Sequence, residues 1–211
     1  MEVPMRTVFA VCLVSLAVGC LSSCSGKYRA EEVMWKPRTE VGRQVKEELR
    51  SSFEKVIEEI QESPEPDIAS LKRGGLMLAY RTPGGSDSAL HVLLDLKCRE
   101  VYNTCGTSFR SRAARAFSST LMPVARILSS YPEVFGHERI VGAALALDWS
   151  AAVFLTGRLR LHGHSERMTA WIPEQALFDY AQLRSTIHEL AAQAVFESSQ
   201  GPLELEFGRA P

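Results

Sequence analysis

The chain has 211 residues, a formal net charge of −1 and a hydrophobic fraction of 45%. That is enough apolar material for one packed domain and too much for a disordered chain. Near-neutrality excludes general nucleic-acid binding, which needs a basic surface.

The first residues carry one base, Arg6, and one acid, Glu2, and Thr7 to Leu21 is then almost wholly apolar. A run of this length fits the hydrophobic region of a signal peptide and is shorter than the ~20 residues of a spanning helix. It ends in Leu21-Ser22-Ser23-Cys24: a branched apolar residue, two small residues and a cysteine. Here the chain resembles the bacterial lipoproteins, over about its first 25 residues. The resemblance implies cleavage before Cys24, acylation of Cys24 and a protein tethered to a membrane. Ser25 after the cysteine implies the outer membrane, facing the periplasm, over the inner one. A rival box ends at Cys20, but Ala17 fits its first position less well than Leu21 fits the other. On this reading residues 1–23 are a signal peptide, 24–37 a polar tether and 38–211 a single domain.

From Arg38 to Ser63, Val41, Val45, Leu49, Phe53, Val56, Ile57 and Ile60 recur at spacings of three and four, which predicts an amphipathic helix stopped by Pro64 and Pro66. Leu76, Leu78 and Tyr80, then Leu90, Val92, Leu94 and Leu96, alternate with other residues about a Gly/Pro-rich turn, which predicts a hairpin with one covered face. A second helix is expected over about Ser108 to Tyr131, capped by Thr107 or Ser108 and kinked or split at Pro123. A further hairpin follows, from Val141 through a turn at Asp148-Trp149-Ser150 to a return strand ending at Leu161. Met168 to Ile172 adds an edge strand. Pro173 opens a last helix, or two short ones broken near Ser185, and Leu203 to Phe207 forms a final strand. The order α-β-β-α-β-β-(β)-α-β predicts an α+β fold, an antiparallel sheet of five or six strands with about three helices on one face.

Motifs for chemistry are scarce. His188-Glu189 begins like a zinc-protease helix, but Ala192 stands where the second ligand belongs. His162-Gly163-His164 offers two imidazoles without a third ligand. Gly84-Gly85-Ser86-Asp87-Ser88 lacks the last glycine of a nucleophile elbow. These residues predict no catalytic residue, no metal and no cofactor. Once the signal and the acylated cysteine are set aside, Cys98 and Cys105 remain. In an oxidising compartment they read as a disulfide, with two reduced thiols as the alternative. Lys97, Arg99, Arg110, Arg112 and Arg115 form a basic cluster near a predicted helix start, where free N–H groups and positive charge favour an anion. Arg110, Arg112 and Arg115 are therefore candidate residues for an anion or acidic partner; the alternative is solubilising charge scattered over several faces.

The expectation is a lipid-anchored envelope protein, not an enzyme, that serves as an accessory or scaffolding subunit binding another envelope protein. A lipid or small-molecule carrier with a pocket lined by Trp149, Trp171 and Phe154 is the second reading. A hydrolase with a dispersed site is the third.

Overall fold

The computed structural model describes residues 28–63, 69–81, 89–155, 158–159 and 163–208. The signal peptide and Cys24 lie outside them, as does His162. The fold is α+β, as the pattern predicts. Helices α1 (Ala30–Val33), α2 (Glu40–Glu48) and α3 (Arg50–Glu62) precede strands β1 (Ser70–Arg81) and β2 (Ala89–Asn103). Helices α4 (Phe109–Ser129) and α5 (Pro132–Phe135) lead to β3 (Ile140–Ala152), the two-residue strands β4 (Phe154–Leu155) and β5 (Arg158–Leu159), and β6 (His164–Pro173). Helices α6 (Glu174–Ala181) and α7 (Ile187–Gln193) and strands β7 (Val195–Ser198) and β8 (Gly201–Leu203) complete the chain.

Six strands form one sheet in the order β1-β2-β3-β6-β7-β8. The expected antiparallel sheet is a mixed one: β2 and β3 run parallel, and the other neighbours are antiparallel. The parallel pair arises because α4 and α5 carry the chain back to the same end of the sheet, as a parallel connection requires. The expected turn at 148–150 is strand. Trp149 faces the core, 1% exposed, and β3 continues to Ala152, so its hairpin partner is β6, with β4 and β5 between them. Met168–Ile172 is thus an inner strand, between β3 and β7, and not an edge. Pro123 does not split α4.

The main core lies between the sheet and the helices. Leu76, Leu94, Leu96, Leu145, Leu147 and Met168 from the strands meet Phe53, Ile57, Phe117, Leu121 and Leu128 from the helices, all essentially unexposed. Strand residues of the opposite parity form a smaller apolar cluster without a helix in it: Leu93, Ala144 and Ala146, flanked by Met77, Ala79 and Trp171. Among the described residues the helices therefore cover one face; the other carries no helix, although Leu93, Ala144 and Ala146 at its centre are buried, 9%, 0% and 0% exposed. No described helix is long and apolar enough to cross a membrane.

Residues 30–35, read from composition as part of a polar tether, pack on the domain. Val33 and Met34 are buried, Met34 bridges Leu76, and the Trp35 N–H donates to the Leu76 carbonyl at 3.0 Å.

Candidate functional site

The open face owes its character to an interruption in β1. Leu71 pairs with Leu96 but Leu76 pairs with Leu94, so β1 bulges between them. Gly74, at φ +67°, supplies a left-handed residue that other amino acids adopt at a cost. A Cβ at Gly75 would stand 2.7 Å from the Lys72 carbonyl and 2.8 Å from that of Asp95, so the strands can close up here only around glycine. The bulge brings Lys72 over the sheet towards β2 and β3.

There four charged residues from four strands meet. Lys72 Nζ contacts Asp95 Oδ1 at 3.0 Å and also Asp148 Oδ2. Arg167, on β6, donates to Asp95 at 3.1 and 3.3 Å and to both oxygens of Asp148 at 3.2 Å. Asp148 lies opposite Arg167 in the β3–β6 register, and alternation places Asp95 on the same face. The two carboxylates are largely covered, with side chains 17% and 18% exposed, whereas Arg167 is 48% exposed. The quartet is neutral as a whole and each carboxylate meets both cations. Its chemistry is therefore that of a polar contact patch, with guanidinium edge left over to donate outward. Beside it runs the small apolar cluster. Beyond that, Trp171 Nε1 donates to Glu197 Oε2 at 2.9 Å, and His91 packs edge-on to Trp171. Among the described residues no group of three or more His, Cys, Asp or Glu is placed to hold a metal ion.

The three candidate arginines do not converge. At about 100° per residue, Arg110 points away from Arg112 and Arg115, which lie three apart on one side of the helix but have different partners. Arg110 is half exposed and 3.8 Å from Glu204. Arg115 lies over the Tyr102 ring, 5.5 Å from its centroid. Arg112 is 7% exposed and already has its anion: Nε donates to Glu166 Oε2 at 2.9 Å, Nη2 to Oε1, and Nη1 to the Thr107 carbonyl. Glu166 also accepts from Trp149 Nε1 at 2.7 Å and lies 3.1 Å from His164 Nε2. Burial raises the Glu166 pKa. The hydrogen bonds from Arg112, Trp149 and His164, with the Arg112 charge, outweigh it and hold the carboxyl below its ordinary range.

The start of α4 is likewise occupied. Ser108 caps it by accepting from the Ser111 N–H at 3.0 Å, and the hydroxyls of both serines donate to Glu206 Oε2. The side-chain carboxylate of Glu206, beyond β8, thus takes the place predicted for an external anion. His188-Glu189 has an equally local explanation: Glu189 accepts from the Thr186 N–H at 2.7 Å and closes a capping box at the start of α7.

The predicted disulfide is absent. Both cysteines are free, Cys98 buried and Cys105 exposed. The chain between them follows the end of β2, whose pairing with β3 is irregular between Lys97 and Val101. Cys98 instead faces α4, its Sγ 3.6 Å from Thr120 Oγ1, and burial pushes its thiol pKa up. Thiol reagents should therefore modify Cys105 rapidly in the native protein and Cys98 only after unfolding. An unreduced, unfolded protein without these two reactive thiols would restore the bridge.

Compared with known proteins, the chain matches no family model, and neither a curated protein nor a solved structure is significantly similar to it.

Proposed function

We propose that the protein is a lipid-anchored component of the bacterial envelope, held by an acylated Cys24, whose domain acts as a non-enzymatic accessory or scaffolding subunit. The observation that carries the binding role is the one-sided sheet. The described helices pack on one face, and the other carries the Lys72–Asp95–Asp148–Arg167 quartet, with Arg167 half exposed, beside the partly exposed Met77 and Trp171. A patch with an apolar centre and a hydrogen-bonding margin has the make-up of a protein contact.

The carrier reading finds less support. Trp149 is packed in the main core with its N–H on Glu166, whereas Trp171 lies on the open face, so the two do not line one pocket. The side chain of Phe154 lies outside the described residues.

A photo-crosslinking amino acid at Thr169, on the open face between Ala146 and Glu197, tests the proposal in intact cells. It should give a discrete adduct with an envelope protein, and the same group at exposed Glu58 on α3 should not. Equal labelling from both positions, or none from Thr169, would remove the case for the open face.

A further inference from the structure

We infer that the corner formed by Tyr28, Arg29 and Arg73 rests at the lipid headgroups, with the order of strands leading away from the bilayer; this rests on the acylation of Cys24 proposed above. Chain length sets this orientation. Residues 25–27 alone separate Cys24 from Tyr28, and four backbone steps span at most about 14 Å. The segment that follows cannot lengthen this reach without undoing the fold. Drawing it away would expose Val33 and Met34, which are 0% and 3% exposed. It would also break the Trp35–Leu76 hydrogen bond, the hydrogen bond from Lys46 Nζ to the Trp35 carbonyl at 2.8 Å and the Arg73–Glu32 pair at 2.7 Å.

A domain of this size is about 40 Å across, on a radius of gyration of roughly 16 Å, so a 14 Å leash does not let it orbit its anchor. The leash is attached at the β1 edge. Arg73, on β1, lies 5.8 Å over the Tyr28 ring. Strand β8 is the other edge, five neighbour spacings away, or roughly 24 Å at 4.8 Å each. The chemistry of the corner suits its place. The Tyr28 ring is 40% exposed and amphipathic, and the exposed guanidinium groups of Arg29 and Arg73 match lipid phosphates in shape and charge. Covalent reach, not affinity, sets the contact, so it persists at high salt.

The test uses the full chain, expressed in a bacterium with Cys105→Ser and purified with its lipid. It is reconstituted in vesicles of phosphatidylethanolamine and phosphatidylglycerol containing a headgroup-labelled acceptor dye. A donor is attached at Arg73→Cys or, at the turn between β7 and β8, at Gln200→Cys. Lys36→Cys is a second near position that leaves the Tyr28–Arg73 contact in place. Energy transfer from positions 73 and 36 should be at least about twice that from 200, given the roughly 24 Å between the sheet edges. The ratio should be unchanged in 1 M salt, where the screening length is about 3 Å. A Gly/Ser insert of about 15 residues after Ser25, with a coil dimension of roughly 20 Å, should bring the ratio towards one. Equal transfer from all three positions in a chain whose Cys24 is shown by mass to be acylated would overturn the orientation alone. A chain without lipid at Cys24 would overturn the anchor and the orientation together.

Discussion

Arg112→Ala should lower the stability of the domain by about 3–5 kcal/mol, the loss typical when one partner of a buried ion pair is removed. The substitution leaves Glu166 with an 8% exposed side chain and without its bidentate partner, although the Trp149 N–H still points at it. Its pH dependence separates this cause from simple loss of packing. In the parent protein the Glu166 pKa lies below its ordinary value. The stabilisation it supplies is then complete above the unfolded pKa of about 4.3 and is lost as the pH falls through the folded value. Without Arg112 only the Trp149 and His164 hydrogen bonds oppose the effect of burial, so the carboxyl pKa should rise relative to the parent. The difference between parent and variant should therefore be largest near pH 7 and shrink towards pH 4, where a protonated Glu166 is buried uncharged. Denaturant unfolding at the two pH values measures it. A difference constant across pH would show that the lost contacts, and not the unpaired charge, account for the effect.

Gly142→Ala should be the second severe substitution, although it adds one methyl group to a strand. Gly142 pairs with Pro173 at the point where β6 turns into α6. A Cβ there would stand 2.2 Å from the Ile172 carbonyl oxygen and 3.2 Å from the Glu174 nitrogen. Both obstacles are backbone, so relief requires β3 and β6 to separate or the start of α6 to shift. Overpacking of this kind costs typically about 1–3 kcal/mol and occasionally more, and a collision with backbone puts Gly142→Ala at the upper end. For a domain of this size that corresponds to a fall of roughly 6–12 °C in the thermal midpoint. Gly163→Ala is the control. Its Cβ would meet nothing closer than the Ala151 carbonyl at 3.4 Å, and its midpoint should stay near that of the parent. A Gly142→Ala midpoint equal to the control's would mean that the β3–β6 junction yields easily.

Sequence patterns revealed the elements better than their partners. The stripe from Val41 to Ile60 lies in α2 and α3, with Val45, Phe53, Val56, Ile57 and Ile60 buried, and alternation placed Leu90, Val92, Leu94 and Leu96 on the covered face. Pairing was less legible because period two gives a strand its faces but not its neighbours. Asp148-Trp149-Ser150 has the composition of a turn, yet Trp149 occupies an inward position and Asp148 an outward one along an unbroken strand. The quartet joins positions 72, 95, 148 and 167, which only the register brings together. The double glycine at 74–75 was its one local sign, a bulge inside a strand pattern. That Arg110 points away from Arg112 and Arg115 was already implicit in their spacing on a helix. The anions of Arg112 and Arg110 were not, because Glu166 and Glu204 lie far along the chain.

The parallel pairing of β2 and β3 also bears on how the chain reaches this fold. β1 and β2 can meet as neighbours in sequence, but β2 cannot complete its other side until residues 104–139 have folded back across the sheet. Closing a loop of that length costs about 3 kcal/mol in chain entropy before any contact compensates it. Until then the apolar residues of β2, Leu90 to Leu96, have a free edge beside them. Such an edge is open to pairing with another molecule, and contacts this distant in sequence slow folding. The crossover through α4 and α5 is thus the step at which folding and aggregation compete.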